Sequence, residues 1–243
     1  MSYGSQYKEQ YQDQELSYAE SGAARLSFIR KTYTHLAGAV LAFVGLESVL
    51  MQVVPPAEVF NLIGRSPWSG LVLILAFMGA SFLANKWAQS DTSSLLQYMG
   101  LGLFIAAEAV IFLPILLIAS NYFPGQEIIK SAGLMTLFVF GGLTISVFVS
   151  GKDYSFLGPI LSVGGMIALG LVLCSILFGF SLGLVFSFAM VALMSGYILY
   201  ETSTIMLHFP TDKHVAASLW LFSSAATLFY YILRILMALN SRE

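Results

Sequence analysis

The sequence predicts an all-α membrane protein, a bundle of seven transmembrane helices. Three observations carry this. The 243-residue chain is 58% hydrophobic and only 10% charged, whereas soluble domains carry about 25% charged residues. Its apolar residues fall in repeated runs near the roughly 20 residues that cross a bilayer as a helix. Those runs, such as LVLILAFMGASFLA, lack the period-two alternation of barrel strands. Lipid offers the backbone no hydrogen bonds, so a spanning segment is a helix or part of a closed barrel.

Residues 1–24, rich in Tyr, Gln, Glu and Ser, have too little aliphatic surface to pack and are expected to form a disordered polar tail on the cytoplasmic side. Residues 25–243 are expected to form the transmembrane domain. No short apolar stretch with a cleavage site leads the chain, so the first span is expected to direct insertion. Ser2 excludes N-myristoylation, which needs glycine there.

The first span covers about 31–54, behind Arg25, Arg30 and Lys31, and Pro55–Pro56 end it because proline lacks an amide donor. The second, about 68–87, runs from Trp68 to Trp87, residues that favour the membrane interface. The third, about 96–119, contains Glu108 and a kink-inducing Pro114. The fourth covers about 131–150, the fifth about 155–178, and the sixth about 182–205 after the short GFSLG turn. The seventh covers about 215–239. Basic residues cluster in cytoplasmic loops. An inside N-terminus puts Lys8, Arg25, Arg30, Lys31, Lys86, Lys152 and Lys213 there, against Arg65, Lys130 and Arg242 outside. The C-terminus is then outside.

Several function classes drop out. The chain has no large basic patch for nucleic acid. Its lone cysteine, Cys174, lies in a hydrophobic run and is expected to be a buried structural thiol. HExxH is absent, no aspartate pair lies in the core, and GFSLG matches GxSxG only in letters, since that motif needs a strand-to-helix elbow. No enzyme is expected, and no cofactor. Small residues at 141–143, 164–165 and 181–183 are expected to let helices approach closely.

Charges inside spans are costly and mark candidate sites. Glu47 and Arg234 fall at similar depth, and an ion pair between them would be either a structural lock or a gate. Glu108 lies centrally in the third span, either hydrogen-bonded to a hydroxyl or lining a cation path. Glu201 closes the sixth span, as an interfacial residue or as a cation or proton acceptor. His208, Asp212 and His214 follow it, but the spacing matches no strong zinc pattern. The histidines add a possible pH response.

Four ordered stretches then carry a resemblance: RKTYTHLAGAVLAFVGLE at 30–47, KDYSFLGPIL at 152–161, GYILYETSTIM at 196–206 and FYYILRIL at 229–236. Together they resemble the transmembrane BAX inhibitor motif family, in its bacterial inner-membrane branch. The resemblance implies a seven-helix fold with the C-terminal helix at the centre. It implies a pH-influenced calcium or cation leak, with calcium as a possible transported ion rather than a cofactor. An alternative it implies is an interaction protein that modulates a membrane-bound AAA protease or a stress response. In the leak, an acidic pair on the last two helices responds to protonation. Its first member falls on Glu201. Its second, ten residues before Arg234, falls on Ser224, with Thr227 three residues on. The second acid is thus absent, and serine cannot ionise as an acid. The Glu47–Arg234 pair fits the family's other polar contact.

Overall fold

The computed structural model describes the backbone of residues 3–91, 93–123 and 127–241, and the side chains among these apart from those of 3–21 and Pro67. The chain is helical almost throughout: α1 (Tyr3–Val53), α2 (Pro56–Gly64), α3 (Pro67–Ala88), α4 (Ser94–Tyr122), α5 (Ile128–Ser150), α6 (Leu157–Phe178), α7 (Gly183–Leu207) and α8 (His214–Asn240). All but α2 hold a segment long and apolar enough to cross a bilayer, giving 7 such segments among the described residues. The expected polar tail, 1–24, has helical backbone from Tyr3 as part of α1. The side chains of its first 21 residues, and Arg242, lie outside the described residues.

Local chemistry sets the boundaries. Pro55 is extended (ψ 132°), and Pro56 starts α2 in the first helical turn, where a missing amide costs nothing. The two prolines thus end one helix and start another, a short helix that the sequence reading omits. Ser66 caps α3 by accepting from the Trp68 amide at 3.2 Å, and Ser93 caps α4 through Leu96. Helix α4 runs on through Pro114. The GFSLG segment is a helix–turn–helix link. Gly179 (φ 71°) and Gly183 (φ 69°) hold left-handed backbone that disfavours side chains.

Helix α8 packs against α1, α3, α4, α5 and α7. Helix α4 is buried as extensively as α8, on more than one face. Helix α6 lies further out, against α3 and α7. A column of rings joins α1, α4 and α8. Phe43 meets Phe112 at 5.2 Å and Phe222 at 5.8 Å between centroids. Phe112 also meets Phe229 and Tyr230 at 5.9 and 5.5 Å. Edge-on pairs of this kind add about 0.5–1.5 kcal/mol beyond burial.

Close approach is local. A Cβ at Gly100 would lie 2.5 Å from the Ala84 carbonyl oxygen and 2.6 Å from the Ala88 nitrogen. Only glycine lets α4 lie against α3 there. Gly164 and Gly165 likewise receive Leu193 and Tyr197 of α7. The expectation of tight packing fails at Gly141, Gly142 and Gly183, which have open space where a Cβ would point. Cys174 is also corrected: it is exposed on α6 rather than buried. A membrane helix is apolar all round, so a hydrophobic setting in sequence does not distinguish the inner face from the outer.

Candidate functional site

Helix α7 carries Glu201 to the interior, where it is 7% exposed. Its Oε1 accepts a hydrogen bond from the Ser224 hydroxyl of α8 at 2.9 Å. Its Oε2 is buried without a partner among the described residues. Beside it is a cavity of about 220 Å³ lined by Asn85, Tyr197, Tyr200, Glu201, Leu219, Trp220 and Ser223. Asn85, Tyr197, Tyr200 and Ser223 bring oxygens to this lining, and Trp220 brings an indole N–H. The Asn85 amide nitrogen is already donated to the Ser81 carbonyl at 2.9 Å, which leaves its oxygen unspent. The Tyr197 hydroxyl donates to the Leu161 carbonyl at 2.9 Å and keeps its lone pairs.

A second polar group gathers near Glu201. The Tyr33 hydroxyl of α1 faces Thr144 of α5 and Thr202 of α7. All three hydroxyls are buried, and none makes a hydrogen bond of good geometry among the described residues. Buried polar atoms are normally satisfied. A cluster of hydroxyls, each able to donate and to accept, is suited to a bridging water.

The other candidate acids come close to the same stretch of α8. Phe43 meets Phe222 and His35 meets His214, so α1 and α8 run parallel with a constant offset of 179 positions. Phe104 meets Phe222, and Phe112 meets Phe229 and Tyr230, an offset of 117–118 positions between α4 and α8. The first offset sets Glu47 level with Ala226, and the second sets Glu108 level with the same residue or the one before it. Ala226 is two residues from Ser224, the partner of Glu201. By these ring pairs Glu47 (4% exposed), Glu108 (3%) and Glu201 fall within about two helical turns of one another along α8.

Both Glu47 oxygens are buried with no partner among the described residues, and no ion pair joins them to Arg234 there. Arg234 lies eight residues beyond Ala226, about 12 Å further along at 1.5 Å per residue, level with Pro55 past the end of α1. Its guanidinium sits 6.0 Å from the Tyr231 ring. Counting from span ends made the two levels seem equal; the packing offset separates them. Thr227 is also not on Glu201: its hydroxyl donates to the Ser223 carbonyl at 2.9 Å.

The α7–α8 loop is tied down at three points. His208 Nε2 lies 2.8 Å from Asp153 Oδ2 in the α5–α6 loop. The Arg25 guanidinium of α1 donates to the Phe209 carbonyl. Lys213 pairs with Asp91 and donates to the carbonyls of Gln89 and Ser90 at 3.1 Å each. The His208 contact, with the Ser155 amide, holds the Asp153 carboxyl below its usual range. His214 turns instead toward His35, with ring centroids 4.8 Å apart. No group of three metal-binding side chains forms among the described residues.

Sequence reasoning omitted Asn85, Tyr197 and Trp220 from the cavity, and the ties from Arg25 and Lys213. Tyr197 was within reach, since it lies one helical turn before Glu201 on the same face. Asn85 and Trp220 join the site only through packing of α3 and α8 onto α7.

The fold and the buried acids define a multi-pass, all-α membrane protein. The chain belongs to the family described as "Inhibitor of apoptosis-promoting Bax1", whose model matches residues 25–242. It is 33% identical over 214 residues to an uncharacterized protein of Pseudomonas aeruginosa, covering 85% of this chain and 87% of that one. It is 32% identical to a BI1-like protein of Arabidopsis thaliana, over 91% of this chain and 84% of the relative. It is 30% identical to an uncharacterized membrane protein of Vibrio cholerae, over 74% and 80%. This membership places the chain among proteins that are not enzymes.

Proposed function

We propose that this chain is a cation leak or transporter of the bacterial inner membrane, with calcium as the transported ion. The carrying observation is the buried Oε2 of Glu201, which has no protein partner among the described residues and adjoins a cavity whose lining includes the oxygen-bearing Asn85, Tyr197, Tyr200 and Ser223. Calcium takes six to eight oxygen ligands in flexible geometry. Glu201, Asn85 and the hydroxyls of Tyr197, Tyr200 and Ser223 supply oxygens of that kind. Glu47 and Glu108 nearby add negative charge along α8, the helix we take as the axis of the bundle. Glu201 is the ion ligand or proton acceptor, and Ser224 holds its other oxygen in place. Thr227 is a polar neighbour on α8. Glu47 and Arg234 act as separate anchors at two depths. Transport depends on pH because a carboxylate that takes a proton loses its hold on a cation. The N-terminus is cytoplasmic, as the distribution of basic residues favours.

Calcium flux into proteoliposomes, measured at two pH values for the parent and Glu201→Gln, tests this. Flux should fall several-fold in the variant and lose its pH response. Equal flux in both proteins removes Glu201 from the mechanism, and absence of flux in the parent at either pH sinks the leak reading.

A second reading, modulation of a membrane-bound AAA protease, is favoured by the polar leader. Helix α1 has 51 residues, far more than the roughly 20 that crossing requires. Co-purification with such a protease should then depend on residues 1–24 and survive Glu201→Gln.

A further inference from the structure

Helices α1 and α4 line a second, open space of about 330 Å³. It is large enough for part of a small ligand. Its wall is apolar along most of its length, with Gly38, Ala39 and Ala42 on α1 facing Leu101, Gly102 and Ile105 on α4. Gly38 and Gly102 are not packing glycines. A Cβ at either would meet nothing within 4 Å, in contrast to Gly100, two residues before Gly102. Glycine inside a helix costs about 1 kcal/mol relative to alanine, and here no neighbouring helix requires it. What the two glycines do is keep the slot wide.

Polar groups occur only at one end. His35 Nδ1 donates to the Lys31 carbonyl at 2.7 Å, which leaves Nε2 to meet the Tyr98 hydroxyl at 2.9 Å. Thr34 bonds the Arg30 carbonyl at 2.8 Å. Each of these lining residues therefore has a basic residue one turn before it on the same face: Lys31 before His35, and Arg30 before Thr34. Both side chains are exposed, and neither forms an ion pair among the described residues. The nearby lysine of the α7–α8 loop is different, because Asp91 neutralises Lys213. The end is also the membrane boundary. Trp87 lies at the end of α3, Tyr98 in the second turn of α4, and the long apolar run of α1 begins at Leu36, one turn past Lys31. Aromatic rings and basic residues of this kind mark the headgroup level.

An apolar slot about two helical turns deep, ending at headgroup level in two unneutralised cations, has the charge and shape of one ligand class. We infer that the α1–α4 groove binds an anionic phospholipid, with an acyl chain along Gly38, Ala42 and Gly102 and the phosphate at Arg30 and Lys31. The lipid comes from the leaflet on the side of the α7–α8 loop. The site shares no lining residue with the cavity at Glu201, so it stands apart from the transport reading.

The test uses the delipidated full-length chain in detergent, with bound lipid read by native mass spectrometry after addition of phosphatidylglycerol or phosphatidylcholine. Phosphatidylglycerol should be retained in preference. Each basic side chain removed should cost roughly fivefold, the equivalent of about 1 kcal/mol per cation at a membrane surface. Lys31→Ala with Arg30→Ala should therefore abolish the preference while leaving phosphatidylcholine retention unchanged. Gly102→Leu should block retention of both lipids, with Gly38→Leu as the second filling variant should the first fail to fold. Inorganic phosphate should not compete at millimolar concentration. Equal retention of both lipids by the parent, an unchanged preference in the double variant, or displacement by inorganic phosphate would each overturn the assignment.

Discussion

The Ser224 hydroxyl donates to Glu201 Oε1 at 2.9 Å, joining α8 to α7 inside the bundle. It satisfies one carboxylate oxygen and leaves Oε2 for the cavity. Ser224→Ala should strand both oxygens. The cost of leaving a buried acceptor unpaired is about 1–3 kcal/mol, and a fall in melting temperature in detergent measures it. Ser224→Asp places a second carboxylate in the same gap. Flux should then acquire a steeper pH dependence, because two facing carboxylates titrate as a coupled pair. An unchanged pH profile would show that the two side chains do not couple.

Glu47 and Arg234 should behave as strangers. Their levels along α8 differ by about 12 Å at 1.5 Å per residue, so a double-mutant cycle of Glu47→Gln and Arg234→Met should give additive changes in stability within about 0.5 kcal/mol. A larger coupling energy would place the two side chains in contact and refute the register derived from the ring pairs.

The Asp153–His208 tie predicts an acid limb. Contact with His208 and the Ser155 amide lowers the Asp153 carboxyl from its ordinary 3.8. A lowered carboxylate contributes stability above its unfolded value and loses it as pH falls through the folded one. Asp153→Asn should therefore melt below the parent at neutral pH. The gap should close as the pH drops below about 3.8. A gap that stays constant down to pH 2 would mean the carboxylate charge is not what the tie uses.

Seven spans were legible because a membrane helix advertises itself through length and hydropathy, and every predicted span overlaps an observed one. The short α2 was missed because Pro55–Pro56 reads as a stop, although Pro56 is also well suited to a first helical turn. Inner and outer faces were not legible. Cys174 and Gly141 sit in runs as apolar as those around Ala84, and only packing tells them apart. The meeting of Glu201 with Ser224 could be anticipated by resemblance to related motifs. The level of Glu47 could not, because it depends on where α1 slides along α8, and that is set by rings such as Phe43 and Phe222 far apart in the chain.

The three ties of the α7–α8 loop all lie at one end of the bundle. They reach α1, the α3–α4 loop and the α5–α6 loop. At the other end, the only side-chain hydrogen bond between separate helices among the described residues is the one from Ser69 to the Ile63 carbonyl. The molecule is in this sense a sheaf bound at one end. At the end that carries α2, apolar packing such as Phe112 on Phe229 and Phe186 on Tyr231 does the holding in place of polar ties.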